Sequence, residues 1–284
     1  MDATVRVWKL GKNLRRSGPA LTIEGSGAGR DNIWLATDVE GLVDPSAEAY
    51  TKSPGGRPGT RLVSTRFTER TLVFKVTITA SGDQWEDADA LWRSYWDYDW
   101  YTEIEVITSK AQRSLRVRLE EIEVDTKYDP HTNGATDVFM TVVADDPFWY
   151  ASDPSALRSK LSVSDKDLSI TTKDFGTGKR FYTFPYLTFI PSSSVSGKSI
   201  TMVVDGSRRT LPLPDMKANN LYQINTDPGS RQVYSATDST AWNRMNGVRY
   251  GTIIPKDFVS LKISHDVPGS STITADIPFL RPWG

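Results

Sequence analysis

The sequence predicts a mainly β protein: an N-terminal β-sheet domain with one α-helix, followed by a C-terminal antiparallel β-sandwich. Three observations support this fold class. The length of 284 residues suits two domains, segments with an apolar period of two recur along the chain, and a helical period appears once. With 38% hydrophobic and 24% charged residues, the composition is that of a globular protein rather than a disordered one.

The charge balance changes sign between the two halves of the chain. Residues 1–155 carry 18 basic and 25 acidic side chains, whereas residues 156–284 carry 16 and 10. The change lies beside the turn-rich segment ASDPS at 151–155, and such composition shifts are typical of domain boundaries. We therefore predict one domain over 1–155 and a second over 156–284.

The first half predicts a strand followed by a helix. Residues 71–79 (TLVFKVTIT) alternate apolar and polar side chains, which predicts a strand. Ser81 and Asp83 each precede a Gln or Glu by three positions, the spacing of a capping box at a helix N-terminus. A helix over 84–96 would carry one apolar stripe. The stripe is formed by Trp85, Ala88, Trp92 and Trp96.

Three more strands are predicted before the boundary, at 102–108, 113–125 and 137–144. In the second of them the alternation slips by one residue near Glu120 and Glu121. A slip of this kind predicts a β-bulge. These strands complete a sheet with one helix.

Segments rich in glycine and proline at 25–29 and 50–60 predict loops. The second half alternates short strands with turn residues, a spacing typical of an antiparallel sandwich. The strands are predicted at 181–190, 199–204, 209–213, 221–226, 232–235, 259–264 and 271–279.

Composition and motifs argue against several classes of function. A net charge of −1 lacks the basic footprint of a dedicated nucleic-acid binder, and without cysteine there is no disulfide or thiolate metal site. No apolar run approaches the length of a spanning helix, so we expect neither a signal peptide nor a membrane anchor. His131 and His265 lack a second histidine at ligand spacing, and we expect no metal or cofactor.

A cluster of acidic residues is the remaining candidate for catalysis. Paired carboxylates serve glycoside hydrolases, and Glu120 and Glu121 could act in this way. However, the acidic residues alternate with isoleucine and valine, which is typical of the exposed face of a half-buried sheet. We therefore predict no enzymatic activity and keep hydrolysis as an alternative. The cluster consists of Glu103, Glu105, Glu120, Glu121, Glu123 and Asp125.

The order of these elements resembles the distal tail protein (Dit) of siphophages, which have long, non-contractile tails. The N-terminal resemblance rests on residues 71–79, 91–108, 113–125 and 142–150. The second half is similar to the family's C-terminal domain over 181–206 and 219–234. There, Ile224-Asn225-Thr226 carries Asn where the family has Asp.

The resemblance implies a structural protein of the virion, at the distal end of the phage tail. A ring of six copies would join the tail tube to the tail hub or tail-associated protein, near the tape measure protein. The first domain would form the ring, and the second, a galectin-like sandwich, would project outward. Assembly would take place in the cytoplasm of the bacterial host.

Two hypotheses about sites follow. In a ring through which DNA passes, carboxylates lining the lumen repel phosphates, so some of Glu103, Glu105, Glu120, Glu121 and Glu123 would face the channel. Alternatively, the chain is a carbohydrate-binding or adsorption protein that recognises the host cell wall. In that case Trp242 would contact the sugar, with Asn243 and Arg244 as hydrogen-bonding neighbours.

Overall fold

A computed structural model describes residues 3–11, 14–36, 39–53, 55, 58–151, 158–161, 167–171, 184–227, 232–245, 249–251, 260–274 and 278–283. Packing divides the chain into two units. The first consists of Met1–Ser152 with Leu280–Gly284, and the second of Asp153–Phe279. The sequence prediction placed residues 280–284 with the second domain, whereas in the structure they pack with the first.

The first unit is built on an eight-stranded antiparallel sheet with the order β2-β1-β7-β8-β9-β6-β3, in which β10 also pairs with β8. A separate two-stranded sheet joins β4 and β5. The elements are β1 (Thr4–Lys9), β2 (Leu21–Glu24), β3 (Ile33–Leu35), β4 (Ala47–Lys52), β5 (Arg61–Phe67), β6 (Arg70–Ile78), α1 (Asp83–Ser94), β7 (Thr102–Ile107), β8 (Gln112–Val124), β9 (Thr136–Ala144) and β10 (Tyr150–Ala151).

Helix α1 packs one apolar stripe on the sheet, as predicted. Trp92 is fully buried, and the Trp96 ring lies 5.0 Å from it and 6.0 Å from the ring of Phe74 in β6, measured between centroids. Ala88 is also buried, and Trp85 is half-buried. The stripe therefore joins the helix to the core.

The start of α1 differs from the prediction. The N-cap is Gly82, with φ 57° and ψ −140°, and no side chain caps the helix. Ser81 and Asp83 were the predicted caps. The chain instead enters the helix through a backbone conformation that glycine adopts readily.

Strand β8 changes partners along its length. Its first half pairs with β7 and its second half with β9, and the register with β9 shifts between Leu119 and Glu121. The predicted β-bulge is confirmed there. Because of the bulge, Glu120 and Glu121 are both exposed.

The predicted loop over 50–60 is wrong in its first part. Residues 50–52 belong to β4, and together β4 and β5 form an antiparallel hairpin, which we call the arm. The Gly and Pro residues that suggested a loop lie between the two strands. Residues 25–29 form turns, as expected.

The second unit consists of two antiparallel sheets, of five strands (β11-β19-β13-β16-β17) and four strands (β12-β18-β14-β15). Each predicted strand of this half overlaps an observed one, although residues 181–183, 259 and 275–277 of those predictions lie outside the described residues. The strands are β11 (Arg158–Leu161), β12 (Asp167–Thr171), β13 (Tyr186–Pro191), β14 (Ser199–Val204), β15 (Ser207–Pro212), β16 (Tyr222–Asn225), β17 (Val233–Tyr234), β18 (Ser260–His265) and β19 (Gly269–Thr274).

The two sheets of the second unit face each other across a shared core. His265 of β18 is buried, and its ring lies 5.1 Å from that of Phe189 in β13. Its Nε2 also lies 2.8 Å from Ser271 Oγ in β19. The predicted fold class, a mainly β chain with a helix-bearing sheet and a sandwich, is confirmed.

Candidate assembly surfaces

The arm stands apart from the core of the first unit. Every residue of β4 and β5 is exposed except Phe67, which is half-buried. Leu62 is 58% exposed and Val63 is 66% exposed. An isolated two-stranded hairpin is marginally stable in water. Exposing aliphatic side chains to water makes its free energy less favourable still. The arm therefore has the properties of a strand pair that is completed by a partner.

The base of the arm is fixed to the first unit. Thr68 donates its backbone N–H to the Ser46 carbonyl at 3.1 Å, which closes the hairpin. The ring of Phe67 packs edge-on against Phe148, with 5.5 Å between centroids. The arm is thus anchored at one end and open along the rest of its length.

A second exposed surface is the loop at residues 97–101, which follows α1. Tyr98 is 57% exposed and Trp100 is 46% exposed. The loop rests on β8, because Leu119 donates its backbone N–H to the Asp97 carbonyl at 2.9 Å. Tyr101 donates its hydroxyl to Asp145, beyond the end of β9. These contacts hold the rings of Tyr98 and Trp100 outside the core.

The acidic cluster divides into a buried pair and an exposed group. Glu105 is fully buried and Glu103 nearly so, and Arg16 Nη2 lies 2.5 Å from Glu103 Oε1 and 2.7 Å from Glu105 Oε1. Trp8 Nε1 donates to Glu105 at 3.0 Å and Gln112 Nε2 at 2.9 Å. Burial raises the pKa of Glu105, but the hydrogen bonds outweigh it and the net pKa lies below the usual value.

Among the five glutamates of which some were predicted to face a channel, Glu103 and Glu105 are therefore not open to solvent. Their carboxylates point into the protein, where Arg16 neutralises part of their charge. Glu120, Glu121 and Glu123 are exposed on β8 and keep the candidate role.

The three residues proposed to contact a sugar do not line one common pocket. Trp242 is half-buried and Asn243 is exposed, whereas Arg244 lines an open pocket of about 290 Å³ that neither of the other two lines. The pocket residues are Ser194, Val195, Ser196, Asp215, Met216, Lys217 and Arg244.

A buried carboxylate beside this pocket was missed by the sequence analysis. Asp238 is 4% exposed, accepts a hydrogen bond from the Tyr222 hydroxyl at 2.7 Å, and forms a close ion pair with Arg244. Hydrogen bonds from Arg244 hold the pKa of Asp238 far below its usual value. Because Asp238 occupies its guanidinium, Arg244 is mainly a structural residue.

The histidines have separate environments. His131 is exposed, with its Nε2 3.5 Å from Glu86, while His265 belongs to the sandwich core. Within the described part of the chain, no three His, Asp or Glu side chains are placed to hold a metal ion. That part also contains no helix long and apolar enough to cross a membrane.

Two buried arginines hold the C-terminal residues on the first unit. Arg70 Nη2 donates to the Leu280 carbonyl at 2.8 Å, and Arg113 Nη1 donates to the Arg281 carbonyl at 2.6 Å. Burial lowers the pKa of each arginine to about 10. No spacing in the sequence signals these contacts, which join residues 210 and 168 positions apart.

No protein-family model matches the chain. Minor tail protein Gp27 of Mycobacterium phage D29 is 27% identical over 313 residues, which cover 90% of this chain and 92% of that protein. Its counterpart in Mycobacterium phage L5 is 27% identical over 316 residues, covering 90% and 93%.

Two solved structures have a similar fold. The Dit protein (gp 19.1) of phage SPP1, described as a paradigm of the hub adsorption apparatus in phages that infect Gram-positive hosts, matches with a TM-score of 0.62. The identity is 12%, over 97% of this chain and 98% of that one. A chain of the phage P2 baseplate matches with a TM-score of 0.51 and 11% identity, over 97% and 98%. The chain is therefore a homologue of phage minor tail proteins, and it has the Dit fold.

Proposed function

We propose that the chain forms a ring of six copies at the distal end of a phage tail. The ring joins the tail tube to the hub or tail-associated protein and leaves a channel for DNA. Similarity to the minor tail proteins over 90% of the chain, together with the Dit fold, supports this proposal.

The observation that carries the proposal is the arm. A closed ring needs a surface on each copy that fits a different surface on the next. The arm offers two strand edges and exposed aliphatic side chains that its own unit leaves uncovered. Such a hairpin suits pairing between copies better than a catalytic or ligand-binding role.

The first test is the mass and shape of the purified chain. Six copies of 31.7 kDa give a particle of about 190 kDa, which negative-stain images should record as an annulus. A variant with a short Gly-Ser linker in place of the arm is the control and should remain smaller. Compact monomers that do not assemble even when mixed with the tube and hub proteins would contradict the proposal.

The channel role now rests on Glu120, Glu121 and Glu123. All three are exposed on one segment of β8, and carboxylates around a lumen would prevent DNA from adhering to it. A density map of the ring should place these residues on its inner wall. A map with all three on the outer wall would remove this part of the proposal.

Carbohydrate recognition is a second candidate, favoured only by the pocket beside Arg244. The pocket lining is mainly apolar, and Lys217, exposed at its rim, could hydrogen-bond a sugar. Binding to host cell-wall polysaccharide that is lost in Lys217→Ala, but kept in Trp242→Ala outside the pocket, would support this function. Equal binding by Lys217→Ala and the native chain would argue against it.

A further inference from the structure

The arm is basic as well as apolar. Lys52, Arg61 and Arg66 are exposed on it, and Glu48 is the acidic residue of the two strands. The Glu48 carboxylate accepts a hydrogen bond from the Tyr50 hydroxyl at 3.3 Å. A partner surface for the arm should therefore carry negative charge and offer apolar area.

The outer part of the arm presents its aliphatic residues together. The register between β4 and β5 shifts so that Tyr50 lies opposite Ser64 and Thr51 lies opposite Leu62. Val63 is left as an extra residue on β5, and a bulge of this kind changes the direction of the side chains around it. The most exposed aliphatic residues of the arm are thus adjacent in sequence.

The loop at 97–101 has the complementary properties. Asp97 and Asp99 are exposed beside Tyr98 and Trp100, and Asp145 lies next to them through its contact with Tyr101. One basic residue, Arg118, pairs with Asp145 at 3.4 Å. The surface remains acidic and aromatic, which suits contact with arginine side chains by charge and by stacking on the rings.

The sheet places these two surfaces on either side of one strand end. The arm leads into β6, whose first residue Arg70 lies opposite Ala144 at the end of β9. On the other side of β9, Arg118 of β8 lies opposite Val143, and the loop rests on the adjoining Leu119. Two strand spacings, about 10 Å, separate β6, into which the arm leads, from β8, on which the loop rests. The two surfaces are distinct patches, as a head-to-tail contact between copies requires.

From these observations we propose that the arm of one copy docks on the acidic aromatic surface of the next copy. That surface consists of Asp97, Tyr98, Asp99, Trp100 and Asp145. Leu62 and Val63 cover the two exposed rings, while Arg61 and Lys52 meet the aspartates. This inference rests on the proposed ring and names the contact that closes it.

Cross-linking tests the contact directly, because the chain has no cysteine of its own. With a short bismaleimide, the double variant Val63→Cys/Trp100→Cys should give a ladder of products that ends at the full ring. The matched control is Val63→Cys/Tyr128→Cys. Tyr128 is 61% exposed but lies beyond Val124, the last residue of β8, whereas the loop rests on Leu119 within that strand, so no ladder is expected.

Charge reversal provides an independent test. Lys52→Glu/Arg61→Glu in the arm, or Asp97→Lys/Asp99→Lys in the loop, should each raise the concentration needed for assembly by more than about tenfold. Mixing the two variants should restore assembly, because each reversed surface then meets its complement. All four positions are exposed, so both variants should fold normally.

The possible results distinguish a failure of the proposed arm contact from a failure of the proposed ring. If annular particles form without the cross-linked ladder, and if both charge-reversed variants still form them, then the arm docks elsewhere. That result would overturn this inference alone. A native chain that neither assembles nor cross-links under any condition would contradict the ring as well.

Discussion

The guanidinium of Arg70 is held by backbone carbonyls. Its Nε donates to Pro147 at 2.8 Å and its Nη1 to Gly41 and Leu42 at 2.9 and 3.0 Å, in addition to the contact with Leu280. Burying a cation is costly, and the donors offset that cost only because each one has an acceptor. Arg70 thus joins two loops and the C-terminal residues at one point.

Replacing Arg70 should therefore destabilise the first unit strongly. Arg70→Met leaves four carbonyls without their donor, two of them in buried hydrogen bonds, and we expect a loss of about 3 kcal/mol in the free energy of unfolding. Urea denaturation followed by tryptophan fluorescence measures it. The control is Arg116→Met on the exposed face of β8, for which we expect a change below about 0.5 kcal/mol. Equal losses in the two variants would contradict this account.

Asp238 gives the second unit a dependence on pH. Its pKa in the folded protein is depressed by hydrogen bonds from Arg244, so its stabilising effect is present above the unfolded pKa of about 3.9. The effect is lost as pH falls toward the folded pKa. Stability of the second unit should thus decrease between about pH 5 and pH 2, and Asp238→Asn should flatten that decrease. An unchanged slope in the variant would show that other groups cause it.

Residue patterns could not predict the burial of Glu103 and Glu105. Alternation in TEIEVI correctly identified the strand, and it assigned the glutamates to a solvent face. That face is covered by Trp8 and Arg16, whose contacts with the two glutamates span 97 and 87 positions of the chain. A period of two reports which residues share a face, but it does not report whether that face is covered.

At Gly82, where helix α1 begins, the backbone conformation and not the surrounding space limits which residues are tolerated. A Cβ placed on Gly82 would meet no atom within 4 Å, so space is available, yet φ is +57° with ψ −140°. Gly82→Ala should therefore cost about 1–3 kcal/mol from backbone strain alone. Thermal unfolding measures it against Gly134→Ala, where space is also open and φ is not positive. Equal effects at the two glycines would exclude the strain explanation.

The arm should contribute to assembly and not to folding. Because almost all of it is exposed, replacing residues 47–66 with a Gly-Ser linker should change the free energy of unfolding by less than about 1 kcal/mol. The same deletion should abolish assembly. Calorimetry and mass photometry on one preparation test both statements, and a deletion variant that still assembles would contradict the role of the arm.

Elements with a strong internal period were predictable, and those held by distant contacts were not. Strand β14 was predicted with its observed bounds, and α1 within two residues of them, because apolar spacing alone identifies such segments. Strand β4 (AEAYTK) has no buried face to produce a period. It pairs with β5 across the glycine- and proline-rich segment that suggested a loop.

The whole molecule combines a rigid sheet with surfaces that its own core does not cover. The fold class and the resemblance to tail proteins could be reached from the sequence, since the order of elements extends over some two hundred residues. The receiving surface could not, because it joins the loop after α1 to the end of β9, which are neighbours only in the folded sheet. In the proposed ring, closure depends on these surfaces acting between copies.

Electron cryo-microscopy of intact virions containing this chain tests the account most directly. We expect density for six copies around a hollow axis at the distal end of the tail, with each arm seated on the 97–101 loop of its neighbour. Virions in which this chain is absent from the tail tip, or in which neighbouring copies meet without their arms, would contradict it.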